Sequence, residues 1–246
     1  MSAWGAFVAG TDTGVGKTRV TVALLHALGG LGVRAAGMKP VASGTEADGQ
    51  NEDVRLLRAA SAAAGIAPAL LQQLNPYCFP WPISPHLAAR RAGVLIDVLR
   101  IRQAYRELSE RSAAVLVEGA GGWLAPINEQ QTMADVARVL QLPVVLVVGL
   151  RLGCLNHALL SAQAVSVAGL RLAGWIGSVV EPRMLALEDN LDTLAQRLPA
   201  PQLGVLRFAA HRGDDAAQLR TAAGALLAAL GNVQALPSQP GSWPSP

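Results

Sequence analysis

The chain has 246 residues, 51% of them hydrophobic and 15% charged, which allows one compact domain with a large core and excludes disorder for most of the length. Its formal charge of +3 rests on 20 basic and 17 acidic side chains, and Lys17 and Lys39 are the only lysines. The arginines are scattered, densest at Arg90-Arg91 and at Arg100, Arg102 and Arg106, with Tyr105 the single aromatic among them, so no nucleic acid partner is expected.

In chain order, short apolar runs alternate with longer amphipathic or Ala/Leu-rich segments, the pattern of β-α-β units. Strands are expected over Trp4 to Ala9, Val33 to Met38, Ala113 to Val117, Pro143 to Gly149, Leu172 to Val179 and Leu203 to Leu206. Helices are expected over Lys17 to Leu31, Glu52 to Ala63, Ile96 to Arg111, Met133 to Leu140, Leu155 to Ala168, Met184 to Arg197 and Asp215 to Leu230. The strands are apolar without strict alternation, as in a parallel sheet covered on both faces. The expectation is therefore an α/β fold: a single-domain P-loop NTPase-like unit over residues 1–230, mostly parallel, with helices on both faces of the sheet. The stretch Asn75 to Pro85 reads as a proline-punctuated loop of functional or interfacial kind. Residues 231–246, rich in Pro, Ser and Gly, read as a disordered tail. No apolar run approaches the roughly 20 residues of a membrane span, and the first residues lack the layout of a secretory signal. With Cys78 and Cys154 as the only cysteines and a core that does not require a disulfide, a soluble cytoplasmic protein with reduced thiols is expected.

Three strand ends carry the chemistry. The first strand runs into Thr11-Asp12-Thr13-Gly14-Val15-Gly16-Lys17-Thr18 and then a helix. That is the context a phosphate loop requires: backbone N–H groups and a helix N-terminus cradle phosphate, the lysine reaches the β/γ-phosphates, and the threonine hydroxyl ligates Mg²⁺. The strict pattern wants glycine at position 11, whereas Gly10 lies one residue earlier. Lys39 closes the second strand in Lys39-Pro40-Val41-Ala42-Ser43-Gly44, and ligands of open parallel sheets collect at the strands' carboxyl ends. Both lysines are thus expected on one anion. The third strand delivers Glu118 into Gly119-Ala120-Gly121-Gly122-Trp123, where such folds hold Mg²⁺. Asp53, in Asn51-Glu52-Asp53, is either another oxygen ligand or a helix-start residue, and Asp12 competes for the metal role. Thr13 and Ser43 are hydroxyls beside the lysines, and Gly153-Cys154-Leu155-Asn156 opens a helix that offers a second anion site.

Together these motifs resemble the dethiobiotin synthetase family. They are G-T-D-T-G-V-G-K-T at Gly10 to Thr18, K-P-V-A-S-G at Lys39 to Gly44, N-P-Y at Asn75 to Tyr77, S-P-H at Ser84 to His86, V-E-G-A-G-G-W at Val117 to Trp123 and G-C-L-N-H-A at Gly153 to Ala158, in family order over roughly residues 5 to 205. The resemblance implies a homodimer that converts 7,8-diaminononanoate, CO2 (or bicarbonate) and Mg-ATP to dethiobiotin, ADP and phosphate. It makes Lys39 and Lys17 the catalytic lysines. Gly14, Val15, Gly16, Lys17, Thr18, Arg19, Glu118, Gly119, Ala120, Gly121 and Ser178 would bind nucleotide, and Thr18, Asp53 and Glu118 would hold Mg²⁺. Thr13, Lys39 and Ser43 would touch the diamine, and Gly153, Cys154, Leu155 and Asn156 would receive its carboxylate across the dimer interface. The chain departs from the family where the nucleobase binds: Ser178 stands where many members have asparagine, and Leu203 to Phe208 lacks the expected Ile-Pro. An asparagine amide offers adenine a donor and an acceptor on separate atoms, whereas serine offers only a single hydroxyl, so weak discrimination among nucleoside triphosphates is expected. Competing readings of the same fold are a partitioning-type ATPase switch, disfavoured by the absence of an early lysine in the loop, and an amidotransferase-type synthetase, which ordinarily needs a further domain.

Overall fold

In a computed structural model the described residues are 3–208 and 214–231; the tail expectation for residues 232–246 lies outside them. Six strands form one parallel sheet in the order β2-β5-β1-β6-β7-β8: β1 (Trp4–Gly10), β2 (Ala35–Met38), β5 (Ala114–Glu118), β6 (Val144–Leu150), β7 (Leu172–Val179) and β8 (Gln202–Leu206). All six expected strands are present.

Period-two alternation sorts their side chains onto two cores. In β1, Phe7 and Ala9 face the larger cluster, while Ala6 and Val8 face the other. In β6, Val144, Leu146, Val148 and Leu150 join the first cluster, and Val145 and Val147 the second. The larger face is covered by α3 (Pro85–Arg91), α4 (Val98–Ser109), α5 (Met133–Leu140), α6 (Cys154–Val167) and α7 (Leu187–Arg197). The second is covered by α1 (Lys17–Gly29), α2 (Glu52–Ala63) and α9 (Arg220–Leu230), while the short α8 (Asp215–Gln218) packs beside α1. Burial on both faces explains why these strands read as continuous apolar runs.

Local signals set the helix starts. Asn51 accepts a hydrogen bond from Val54 N at 3.2 Å, Asp97 accepts one from Leu99 N at 2.8 Å, and Thr132 and Asp135 form a capping box at α5. Two expectations need correction. The segment Asn75 to Pro85 is not all loop: Tyr77–Phe79 is strand β4, pairing in parallel with β3 (Val41–Ser43) in a separate two-stranded sheet. A 3₁₀ helix over Pro68–Leu74 precedes it. The expected helix Asp215 to Leu230 is two, α8 and α9, separated at Leu219. Among the described residues no helix is long and apolar enough to cross a membrane, and both cysteines are unpaired thiols.

Candidate active site

The carboxyl ends of β1, β2 and β5 surround a cavity of about 350 Å³. The loop between β1 and α1 forms one wall. Gly16 caps α1 in the left-handed region (φ 88°), and a Cβ there would sit 2.6 Å from Ser178 Oγ, so both backbone and space demand glycine. Gly10 has a different reason: a Cβ would lie 2.8 Å from Val15 Cγ2 and 2.9 Å from Lys17 Cδ. The glycine displaced from position 11 is therefore needed to let the lysine stem pass the end of the strand.

Lys17 Nζ donates to the Asp12 carbonyl at 2.8 Å. Burial, then the neighbouring charge of Lys39, lowers its pKa to about 8 against the partial opposition of Glu118, Asp53 and Asp12. Asp12 Oδ2 is held by Arg151, just beyond β6, at 2.7 Å, and Asp12 Oδ1 accepts from Thr13 N at 2.7 Å. These bonds tie Asp12 into the loop.

The opposite wall is assembled from distant segments. Lys39 follows β2, and its ammonium donates to Glu118 Oε1 at 2.5 Å and Asp53 Oδ2 at 2.8 Å. Thr18 Oγ1 donates to the same Glu118 Oε1 at 2.7 Å. Burial opposes the charge of Lys39, but Glu118 and Asp53 outweigh it and raise the lysine above its ordinary value. Burial likewise works against ionised Asp53, and the Lys39 ammonium overcomes it, lowering that carboxyl. Glu118 is fully buried at the end of β5, and its Oε2 has no hydrogen-bond partner.

Two asparagines missed as functional residues build this wall. Asn75 Nδ2 donates to the carbonyls of Lys39 (2.7 Å) and Tyr77 (2.9 Å), pinning the turn after β2 to β4. Asn51, besides capping α2, donates to the Gly44 carbonyl at 2.6 Å and thereby fixes the helix start that carries Asp53. An Asn directly before two acidic residues was a readable N-cap signal for Asn51; for Asn75 only its place in N-P-Y pointed to a role.

Thr13, Gly14, Gly16, Lys17, Thr18 and Arg19 border the cavity, as do Lys39, Ser43, Asp53, Glu118, Ala120 and Gly121. Val41, Asn51, Glu52 and Leu56 join them. The Arg19 guanidinium turns away, donating to Asp215 at 2.6 and 2.7 Å and to the Arg207 carbonyl at 2.9 Å, so it anchors the C-terminal helices to the loop. Other expected site residues lie off the cavity. Val15 is buried beneath the loop, Gly119 donates its N–H to the Val8 carbonyl, and Ser178 is buried against Gly16. Gly153, Cys154, Leu155 and Asn156 start α6 elsewhere, with Cys154 buried in the core and Gly153 and Asn156 exposed.

The donor set suits Mg²⁺. Thr18, Asp53 and Glu118 present hard oxygens at the edge of the phosphate loop, and Glu118 Oε2 is a buried acceptor without a hydrogen-bond partner, which could take a cation. Among the described residues no cluster of three or more His, Cys, Asp or Glu side chains forms an all-protein metal cage.

Comparison with known proteins places this geometry. The MinD cell division protein of Aquifex aeolicus superposes with a TM-score of 0.56 at 15% identity, over 96% of this chain and 100% of that one. The signal recognition particle receptor FtsY of Elizabethkingia anophelis, in complex with GDP, gives 0.51 at 15% identity over 92% and 64%. At that identity the likeness speaks for the fold alone, a P-loop NTPase sheet. A family model described as an AAA domain matches residues 5–211. The ATP-dependent dethiobiotin synthetase of Nitrosospira multiformis is 50% identical over 204 residues, covering 83% of this chain and 88% of its own. That of Ralstonia nicotianae is 52% identical over 203 residues (81% and 87%). With half of the aligned residues identical over more than four fifths of the chain, and the two-lysine cavity in place, the chain belongs to the ATP-dependent dethiobiotin synthetase family.

Proposed function

We propose that this chain is an ATP-dependent cyclo-ligase that joins 7,8-diaminononanoate and CO2 into the ureido ring of dethiobiotin, a step of biotin synthesis. The observation that carries the reading is the convergence of the chain's two lysines, from separate strand ends, on one cavity beside a phosphate loop. CO2 adds to one amine to give a carbamate, and a carbamate oxygen attacks the γ-phosphate. The second amine then closes on the mixed carbamic-phosphoric anhydride and expels phosphate.

No protein nucleophile is needed; the task is to align and neutralise anions. Lys17 and the N–H groups of Gly14 to Thr18 hold the triphosphate. Lys39 faces the carbamate, and Thr13 and Ser43 contact the diamine. Thr18, Asp53 and Glu118 would hold Mg²⁺, which when bound neutralises phosphate charge. Gly153 to Asn156 serve the partner's cavity in a homodimer, receiving the substrate carboxylate at the start of α6; that none of the four lines the cavity of its own chain supports this. Two unpaired thiols support a cytoplasmic setting.

Incubation with 7,8-diaminononanoate, bicarbonate and Mg-ATP, followed by mass spectrometry, should yield dethiobiotin. ATP turnover that ignores the diamine would instead mark a nucleotide switch.

A further inference from the structure

The metal ligands assigned above are already engaged by another cation. Glu118 Oε1 accepts from both Lys39 Nζ and Thr18 Oγ1, and Asp53 Oδ2 accepts from the same ammonium, leaving Glu118 Oε2 as the unpartnered oxygen. The Lys39 and Glu118 side chains are 6% and 0% exposed, so water screens the cluster poorly. A divalent ion on these carboxylates with the ammonium still in hydrogen-bond contact would set like charges a few ångströms apart in a low-dielectric site. The two cations therefore compete for these carboxylates. The lysine stem has four flexible carbons, and Lys39 lines a cavity of about 350 Å³ into which it can swing.

We propose that Lys39 is the resident counter-ion of the divalent-cation site: it neutralises Asp53 and Glu118 in the nucleotide-free protein, and the arriving metal displaces its ammonium into the cavity. Metal loading and presentation of Lys39 to the carbamate are then one event, and nucleotide without metal leaves the lysine withdrawn. This rests on the reading of Thr18, Asp53 and Glu118 as the metal ligands.

Because the chain holds two lysines, ¹³Cε-lysine labelling gives two side-chain resonances, assigned with Lys17→Met. The Lys39 resonance should move with Mg²⁺ and a non-hydrolysable ATP analogue, and stay in place with the analogue in EDTA. An unmoved Lys39 resonance, or an equal shift without metal, overturns the proposal. Competition also predicts that the nucleotide-free Lys39→Met protein binds Mn²⁺ on the order of tenfold more tightly than wild type, read as free Mn²⁺ by electron paramagnetic resonance at pH 8. Equal or weaker binding by a variant with native circular dichroism overturns it. If that variant does not fold, the wild-type resonance decides. Dethiobiotin formation is measured separately, so a failed exchange in an active enzyme faults this inference and leaves the ring-closure reading standing.

Discussion

The two lysines stand on opposite walls of one cavity and are held in opposite ways. Lys17 rests on a backbone carbonyl, and burial lowers it to about 8; Lys39 is clasped by two carboxylates and raised above its ordinary value. The loop wall is one contiguous stretch whose geometry comes from backbone and glycine. The other wall is made of side chains that meet across 14 and 79 residues of sequence. A wall built from backbone tolerates side-chain change and binds ground-state phosphate, whereas a wall built from paired charges is both a structural joint and a chemical tool. Substitutions on the second wall should therefore cost catalysis and stability together.

The largest effect is expected from Lys39→Ala. Removing a preorganised cation from developing negative charge should lower kcat by about 10²–10³-fold while ATP affinity changes little; near-normal ring closure in a steady-state assay would remove Lys39 from the mechanism. Next is Glu118→Gln, which leaves Lys39 with one exposed carboxylate. Breaking a buried pair should destabilise the fold by ~3 kcal/mol in urea unfolding, and clearly more than Asp53→Asn, whose side chain is 40% exposed. Equal losses in the two variants would erase the distinction between the buried joint and its rim.

Lys17 gives a pH signature with a definite sign. Its folded value near 8 lies below the ordinary 10.5, so the unfolded chain binds more protons between those values and this residue makes stability rise across that window. Triphosphate binding favours the charged lysine. Calorimetry near pH 8.5 in buffers of different ionisation heat should therefore record fractional proton uptake with ATP, absent in Lys17→Met; no uptake in wild type would contradict the assignment of Lys17 to the phosphates. A smaller effect belongs to Asn51→Ala, which should lower stability by about 1 kcal/mol through the lost cap, visible as a reduced Tm. The smallest concerns the base: with a buried serine at 178, preference for ATP over CTP and GTP should stay under about tenfold, ~1.4 kcal/mol, and a strong preference in competition assays would refute it.

Much of this protein was decided by the sequence alone. Six apolar runs separated by helical segments imply a parallel sheet, because strands covered on both faces have no polar side to show. The G-V-G-K-T loop is legible because a phosphate cradle is local, its N–H groups coming from consecutive residues. What tertiary structure decided lies where distant segments meet. The short pairing of Val41–Ser43 with Tyr77–Phe79 hides in a proline-rich stretch whose strands are three residues long, too short for a period to register. Arg19, next to the phosphate-loop threonine, looks like a phosphate ligand until Asp215, 196 residues away, captures its guanidinium. Lys39, Asp53 and Glu118 could each be suspected singly. That one ammonium neutralises both carboxylates is a fact of proximity, since Coulomb attraction in a buried site depends on distances of 2.5 and 2.8 Å that no reading of residue order contains.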